Sequence, residues 1–97
     1  MVKHIVMFKL NNKTRENMDA AVLALEGMKG KIEILKYIEV GTDITQSERS
    51  CDIVLTTHFD NIESLKKYSA HPMHKPVIEI MRNLCANIMA VDYETAN

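Results

Sequence analysis

The chain has 97 residues, of which 46% are hydrophobic and 26% are charged, a composition typical of one small globular domain over residues 1–97. Its 12 Lys and Arg residues nearly balance its 13 Asp and Glu residues, so it lacks the basic surface with which proteins bind nucleic acids. No apolar stretch is long enough to cross a bilayer, and we expect neither a nucleic acid nor a membrane as partner.

The first half of the chain predicts a strand, a helix and a second strand. Residues 3–10 alternate between two sides and are rich in β-branched and aromatic side chains, which is typical of a strand. Over residues 14–28 the apolar side chains recur at helical spacing, and glycines near the end of this segment favour termination there. Residues 32–40 predict a second strand, and the polar residues 41–50 predict a loop.

The second half predicts a strand, an interrupted helix and a last strand. Residues 51–59 alternate again and predict the third strand. A helix follows Asp60 and Asn61, either of which is suited to cap it, and is broken by the segment HPMHKP, residues 71–76. The proline that ends this segment is accepted as the first residue of a new helix, where its missing N–H has no intrahelical partner. Residues 87–93 predict the fourth strand.

The order βαββαβ predicts an α+β, ferredoxin-like fold, with a four-stranded antiparallel sheet and the helices on one face. A sheet with one face open to water is expected to have one wholly polar register. Here both registers contain apolar side chains: Val6 and Phe8 against Ile5 and Met7 in the first strand, and Ile53 and Leu55 against Val54 in the third. We therefore expect a second copy of the same sheet to cover the face without helices, giving a homodimer. The alternative is that these apolar residues lie at edges or under the loop 41–50.

The two cysteines indicate a reducing compartment. Cys51 and Cys85 show no CxxC motif and no metal-ligand spacing, and free thiols persist where disulfides do not form. The apolar stretch at the N-terminus is too short for a secretory signal. We therefore expect a cytoplasmic protein.

Four polar residues interrupt apolar stripes and are candidates for a site. They are His4, Asp52, Tyr68 and His74. Each alone is compatible with a satisfied buried group, but buried polar groups need partners, and four together favour a cluster. His74 precedes the last long helix, whose positive end lowers the pKa of a histidine and leaves a neutral ring. Beside a Tyr68 hydroxyl, such a ring is suited to act as a general base.

The spacing of His71 and His74 also raises the possibility of a metal site. Residues at i and i+3 ligate a metal together when they share one face of a helix. Here Pro72 stands between them and no carboxylate is nearby in sequence, so we expect no metal.

Three segments resemble the stress-responsive α/β-barrel (Dabb) domain. They are the opening VKHIVMFKL, the central CDIVLTTHFDNIESLKKYSAHPMHKPV and the closing VDYE. The most specific part is the run Tyr-x-x-His-Pro-x-His, which here consists of Tyr68, His71, Pro72 and His74. The resemblance implies a ferredoxin-like protomer that pairs with itself through its sheets to form a dimeric α+β barrel.

The resemblance also implies site residues. Members of the family include plant stress-related proteins, uncharacterised bacterial proteins and a polyketide cyclase that closes a ring by intramolecular aldol condensation. Similarity to that cyclase implies that His74 is the base, that Tyr68 assists it and that His4 lines the pocket. A pocket histidine on the cyclase's third strand falls near Asp52 here, so the chain departs from the cyclase where the substrate is held.

Two functions remain open. We favour a homodimeric module, without a cofactor, that binds a small apolar or aromatic molecule between the sheet and the helices. The alternative is a cofactor-free cyclase, isomerase or oxygenase with His74 as base and Tyr68 as partner, for which a hydrogen bond between these two side chains would be the favourable sign. The residues expected to contact the ligand are His4, Phe8, Asp52 and His71.

Overall fold

Residues 1–95 of the chain are described by a computed structural model, and the predicted domain over residues 1–97 therefore ends with two residues outside the described part. The described residues form four strands and three helices. In chain order these elements are β1 (Val2–Leu10), α1 (Arg15–Glu26), β2 (Tyr37–Thr42), β3 (Ile53–Phe59), α2 (Ile62–Ser69), α3 (Lys75–Leu84) and β4 (Cys85–Glu94).

All neighbouring strands pair antiparallel, in the order β2-β3-β1-β4. This is the predicted ferredoxin-like α+β fold, with the second helix split into α2 and α3. Val6 lies opposite Leu55 of β3 and Ala90 of β4, and directly opposite residues share a face of the sheet. The even-numbered residues of β1 thus face the helices, and the odd-numbered residues face away.

Side-chain caps begin the first two helices. The Oγ1 of Thr14 accepts a hydrogen bond from the backbone N–H of Asn17 at 3.1 Å, and the Oδ1 of Asn61 accepts one from Ser64 at 2.9 Å. The third helix begins at Lys75, with Pro76 in its first turn, as the sequence predicts. No helix within residues 1–95 combines the length and the apolar character that crossing a membrane requires.

The main differences from the predicted strand boundaries lie at the starts of β2, β3 and β4. β2 begins five residues later than expected, because residues 32–36 form turns that insert Ile32 into the core, where it is only 3% exposed. β3 begins two residues later, since Asp52 leaves the strand and bonds to the backbone of β1. β4 begins directly after α3, so it pairs with β1 along nearly its whole length.

The core lies between the helices and the face of the sheet that they cover. It contains side chains from β1 and β3 packed on α1, α2 and α3. Its most deeply buried members are Ala21, Leu25, Met28, Ile53, Phe59, Tyr68 and Met81.

The opposite face of the sheet is apolar and uncovered within the described chain, and we call it the open face. Ile5 of β1 is flanked there by Thr56 and Val91 in the two neighbouring strands. Both registers of β1 are therefore apolar, as the sequence indicates. The large exposed side chains of the open face are Met7, Tyr37, Met89, Val91 and Tyr93, at 40–54% exposure.

Candidate ligand-binding site

A cavity of about 390 Å³ lies on the helix side of the sheet, between the strands and α3. Strands β1, β3 and β4 form one wall, and α3 together with α1 forms the other. Most of its lining is apolar, with contributions from Val6, Phe8, Leu55, Val77, Ile78 and Met81. Its volume and its apolar character are those of a site for a small organic molecule.

This cavity exists because the helices do not cover the whole sheet. β4 is an edge strand, and its helix-side residues Ile88 and Ala90 are exposed although they line the cavity. The gap between α3 and β4 is therefore open to solvent, which gives a small molecule a route in.

His74 lies at the start of α3 and lines this cavity. The turn before the helix positions it, because the carbonyl oxygen of His71 accepts hydrogen bonds from the backbone N–H groups of His74 and Lys75 at 2.9 and 3.1 Å. Its ring Nδ1 lies 3.4 Å from the carbonyl oxygen of Ser69. Since a carbonyl oxygen only accepts, this contact assigns the proton to Nδ1 and leaves the lone pair of the neutral ring on Nε2.

Burial is the main reason why the pKa of His74 lies below its usual value of 6.5. The neighbouring His4 and His71 lower this pKa further, whereas the backbone of Ser69 and Tyr68 opposes the shift. The direction agrees with the sequence prediction, although the principal cause is desolvation rather than the helix dipole. The ring is therefore neutral at pH 7.

Tyr68 is fully buried beside His74, but its hydroxyl does not reach the histidine. The two rings stack with their centroids 4.0 Å apart, and the hydroxyl donates to the Sδ of Met28 at 3.7 Å. Burial also raises the pKa of Tyr68, so the hydroxyl stays protonated. Tyr68 thus holds the face of the His74 ring, and the hydrogen bond considered in the sequence analysis is not formed.

His4 completes the polar end of the cavity and brings with it a residue that the sequence analysis missed. The pairing of β1 with β4 sets His4 opposite Asp92, and its ring Nδ1 donates a hydrogen bond to the Oδ1 of that carboxylate. The His4 ring also meets the edge of Tyr68, with the centroids 6.2 Å apart. Asp92 was not recognised because its role depends on the register between two strands 88 residues apart in sequence.

The structure corrects the expected position of Asp52. It lies at the far end of β1, where its carboxylate accepts a hydrogen bond from the N–H of Leu10 at 2.8 Å and is 3.4 Å from the Nζ of Lys13. Its own N–H donates to the carbonyl oxygen of Phe8 at 2.8 Å. These bonds turn Asp52 out of the strand register, so it holds the loop before β3 and does not line the cavity.

His71 also lies outside the cavity, whereas Phe8 lines it as expected. The Nδ1 of His71 accepts a hydrogen bond from the N–H of Met73 at 3.0 Å, which uses the ring to close the turn before α3. Within residues 1–95, no group of three or more His, Cys, Asp or Glu side chains is arranged to hold a metal ion.

The fold and this site define a ferredoxin-like α+β protein with an apolar cavity under its helices and a histidine-lined end. The chain belongs to the Stress responsive A/B Barrel Domain (Dabb) family, whose model matches residues 2–95. It is 30% identical to an uncharacterized protein of Streptomyces coelicolor, over 97% of this chain and 99% of that one.

Solved structures share this architecture. A dimeric protein of unknown function from Bacteroides fragilis, with a ferredoxin-like fold, is 34% identical, with a TM-score of 0.83 over 97% of this chain and 95% of that one. The hydroxynitrile lyase of Passiflora edulis superposes with a TM-score of 0.85 over 99% of this chain and 94% of that one. At 14% identity, the likeness to the lyase concerns the fold alone.

The titration of His74 checks the environment described above. Because burial disfavours the imidazolium, we expect the midpoint of His74, followed by NMR of the ring protons, to lie below 6.5. The unfolded chain then binds more protons than the folded chain as the pH falls through 6.5, so stability is lost in that range. A His74→Asn variant should show a flatter loss of stability between pH 7 and 5. A midpoint at or above 6.5 would contradict the buried, neutral ring.

Proposed function

We propose that the protein is a homodimer that binds a small apolar molecule in the cavity under α3. The observation that carries this proposal is the open, mainly apolar cavity of about 390 Å³, which has only a few polar side chains in its lining. In such a site the apolar walls supply affinity and a few polar groups set the orientation of the ligand. Cys51 and Cys85 are free thiols, which favours a reducing compartment such as the cytoplasm.

The open face supports the homodimer. Side chains such as Met7, Met89 and Val91 form an exposed apolar patch on one side of a sheet, and soluble monomers rarely leave such patches uncovered. A second copy of the same sheet offers a matching apolar surface related by a twofold axis. The relative from Bacteroides fragilis is described as dimeric, which agrees with this arrangement.

A charge in the middle of the open face should separate the two protomers. Met7→Lys introduces an ammonium on the central strand β1, and dimer formation would bury it twice without a partner. We expect the dimer dissociation constant, measured by sedimentation equilibrium, to rise at least about a hundredfold. Leu23→Lys is the matched control, since Leu23 is 74% exposed on α1, on the other side of the sheet. A dimer unaffected by Met7→Lys would exclude this interface.

Blocking the cavity should abolish binding. Ala90 lines the cavity from β4, so Ala90→Phe fills it with a ring. We expect octanol to shift the NMR signals of Val77 and Ile78 in the wild type, and Ala90→Phe to weaken its binding at least about tenfold. Ala20→Phe, at an exposed position of α1, controls for the added ring. Equal binding by the two variants would show that octanol binds elsewhere.

A second candidate function is cofactor-free proton abstraction by His74. The neutral ring, with its Nδ1 hydrogen directed to Ser69 and its Nε2 lone pair unoccupied, favours this candidate. Nε2 would take a proton from a C–H bond next to a carbonyl, and the electron pair of that bond would delocalise onto the carbonyl oxygen as an enolate. Tyr68 would act through the face of its ring, as a positioning residue.

Deuterium exchange at the acidic carbon of benzoylacetone, an apolar 1,3-diketone, tests this candidate. We expect the protein to accelerate the exchange seen by NMR, and His74→Gln to lower the protein-dependent rate at least about a hundredfold. Arg15→Gln, at an exposed position of α1 outside the cavity, is the control. Exchange that is insensitive to His74→Gln would leave binding as the only function.

A further inference from the structure

The cavity contains a cation at the end opposite to the histidines. Arg82 belongs to the last turn of α3, lines the cavity and is exposed. Its guanidinium makes no hydrogen bond or ion pair with any residue in the part of the chain that the structure describes. An unpaired guanidinium at the mouth of an apolar cavity is available to a ligand.

The two ends of the cavity lie about one small molecule apart. His74, Ile78 and Arg82 all line it and follow one another at intervals of four residues, so they share one side of α3. Eight residues of helix correspond to about 12 Å. On the opposite wall, β4 begins where α3 ends and runs back along the helix, so Ile88 lies toward the Arg82 end and Asp92 toward the His74 end. The four residues of strand between them cover about 13 Å.

The charges at the two ends have opposite signs. Asp92, bonded to His4, puts a carboxylate at the histidine end, and Arg82 puts a guanidinium at the other. An anionic group is repelled by the first and attracted by the second, so a ligand with one anionic end can lie in only one direction. The planar fork of a guanidinium matches a carboxylate in particular, through two parallel hydrogen bonds.

We propose that the cavity selects apolar carboxylates, with the carboxylate on Arg82 and the apolar body extending along α3 toward His74. This inference rests on the proposed binding function and names its ligand class. Val77, Met81 and Phe8 line the intervening stretch and contact the apolar body. Under the second candidate function, the carbon that meets His74 is the one distal to the carboxylate.

Arg82 also has a structural explanation that must be separated from this role. A cation in the last turn of a helix complements the helix dipole, and that role is independent of any ligand. Comparing a charged ligand with an uncharged ligand of the same length distinguishes the helix-dipole role of Arg82 from its proposed ligand contact. Loss of dipole stabilisation affects both ligands alike, whereas loss of a carboxylate contact affects only the anion.

The experiment measures the dissociation constants of octanoate and octanol by calorimetry at pH 8, where His74 is neutral. We expect Arg82→Gln to raise the dissociation constant of octanoate about five- to tenfold and to leave that of octanol unchanged. Arg82→Lys should retain part of the octanoate affinity, since it keeps the charge but not the fork. Arg15→Gln removes the same charge from a side chain that is 94% exposed on α1, and should change neither constant.

The possible results separate this inference from the function on which it rests. Octanoate binding that is unaffected by Arg82→Gln, or weakened equally with octanol binding, overturns the role of Arg82 while leaving the cavity as a binding site. Failure of both compounds to bind the wild-type dimer overturns the binding function itself. Circular dichroism and sedimentation of each variant establish that fold and oligomeric state are unchanged in these comparisons.

Discussion

The structure depends on one constraint, which is that three short helices cover one face of the sheet and only part of its width. The face without helices keeps apolar side chains, among them Met7 and Val91, which favour a second sheet. On the helix side, the core fills the space over β1 and β3, and the edge strand β4 is left partly uncovered. The cavity is that uncovered part, so the same incomplete cover produces both the proposed dimer surface and the proposed binding site.

The polar end of the cavity results from two long-range arrangements meeting at one place. The first is the register of β1 and β4, which pairs His4 with Asp92. The second is the break between α2 and α3, where the turn before Lys75 turns the His74 ring onto buried Tyr68. Neither arrangement needs a charge deep in the core, because Asp92 remains 46% exposed and the two histidines are satisfied by hydrogen bonds.

The sequence carried most of the fold because its signals are local. The alternation of the strands, the helix caps and the helix-breaking segment 71–76 can each be recognised within a few residues. The apolar side chains in both registers of β1 are also visible in the sequence. The predictions that failed concern contacts between residues far apart in the sequence. Asp52 continues the alternating pattern of the third strand, but its carboxylate accepts a hydrogen bond from the N–H of Leu10, 42 residues away, and lies outside the cavity. Asp92 and Arg82 belong to no recognisable motif. The position of Asp92 beside His4 follows from the strand pairing, and that of Arg82 from the cavity that it lines.

β4 serves two surfaces with alternate residues. Ile88 and Ala90 line the cavity and Asp92 follows them on the same face of the strand, whereas Met89, Val91 and Tyr93 lie on the open face. Inserting or deleting one residue within this stretch would exchange the two sets, because side chains alternate with a period of two. The alternation therefore constrains the spacing of these residues along β4 more than their identity. The register irregularity of the β1–β4 pair lies at Lys9 and Leu10, outside this stretch.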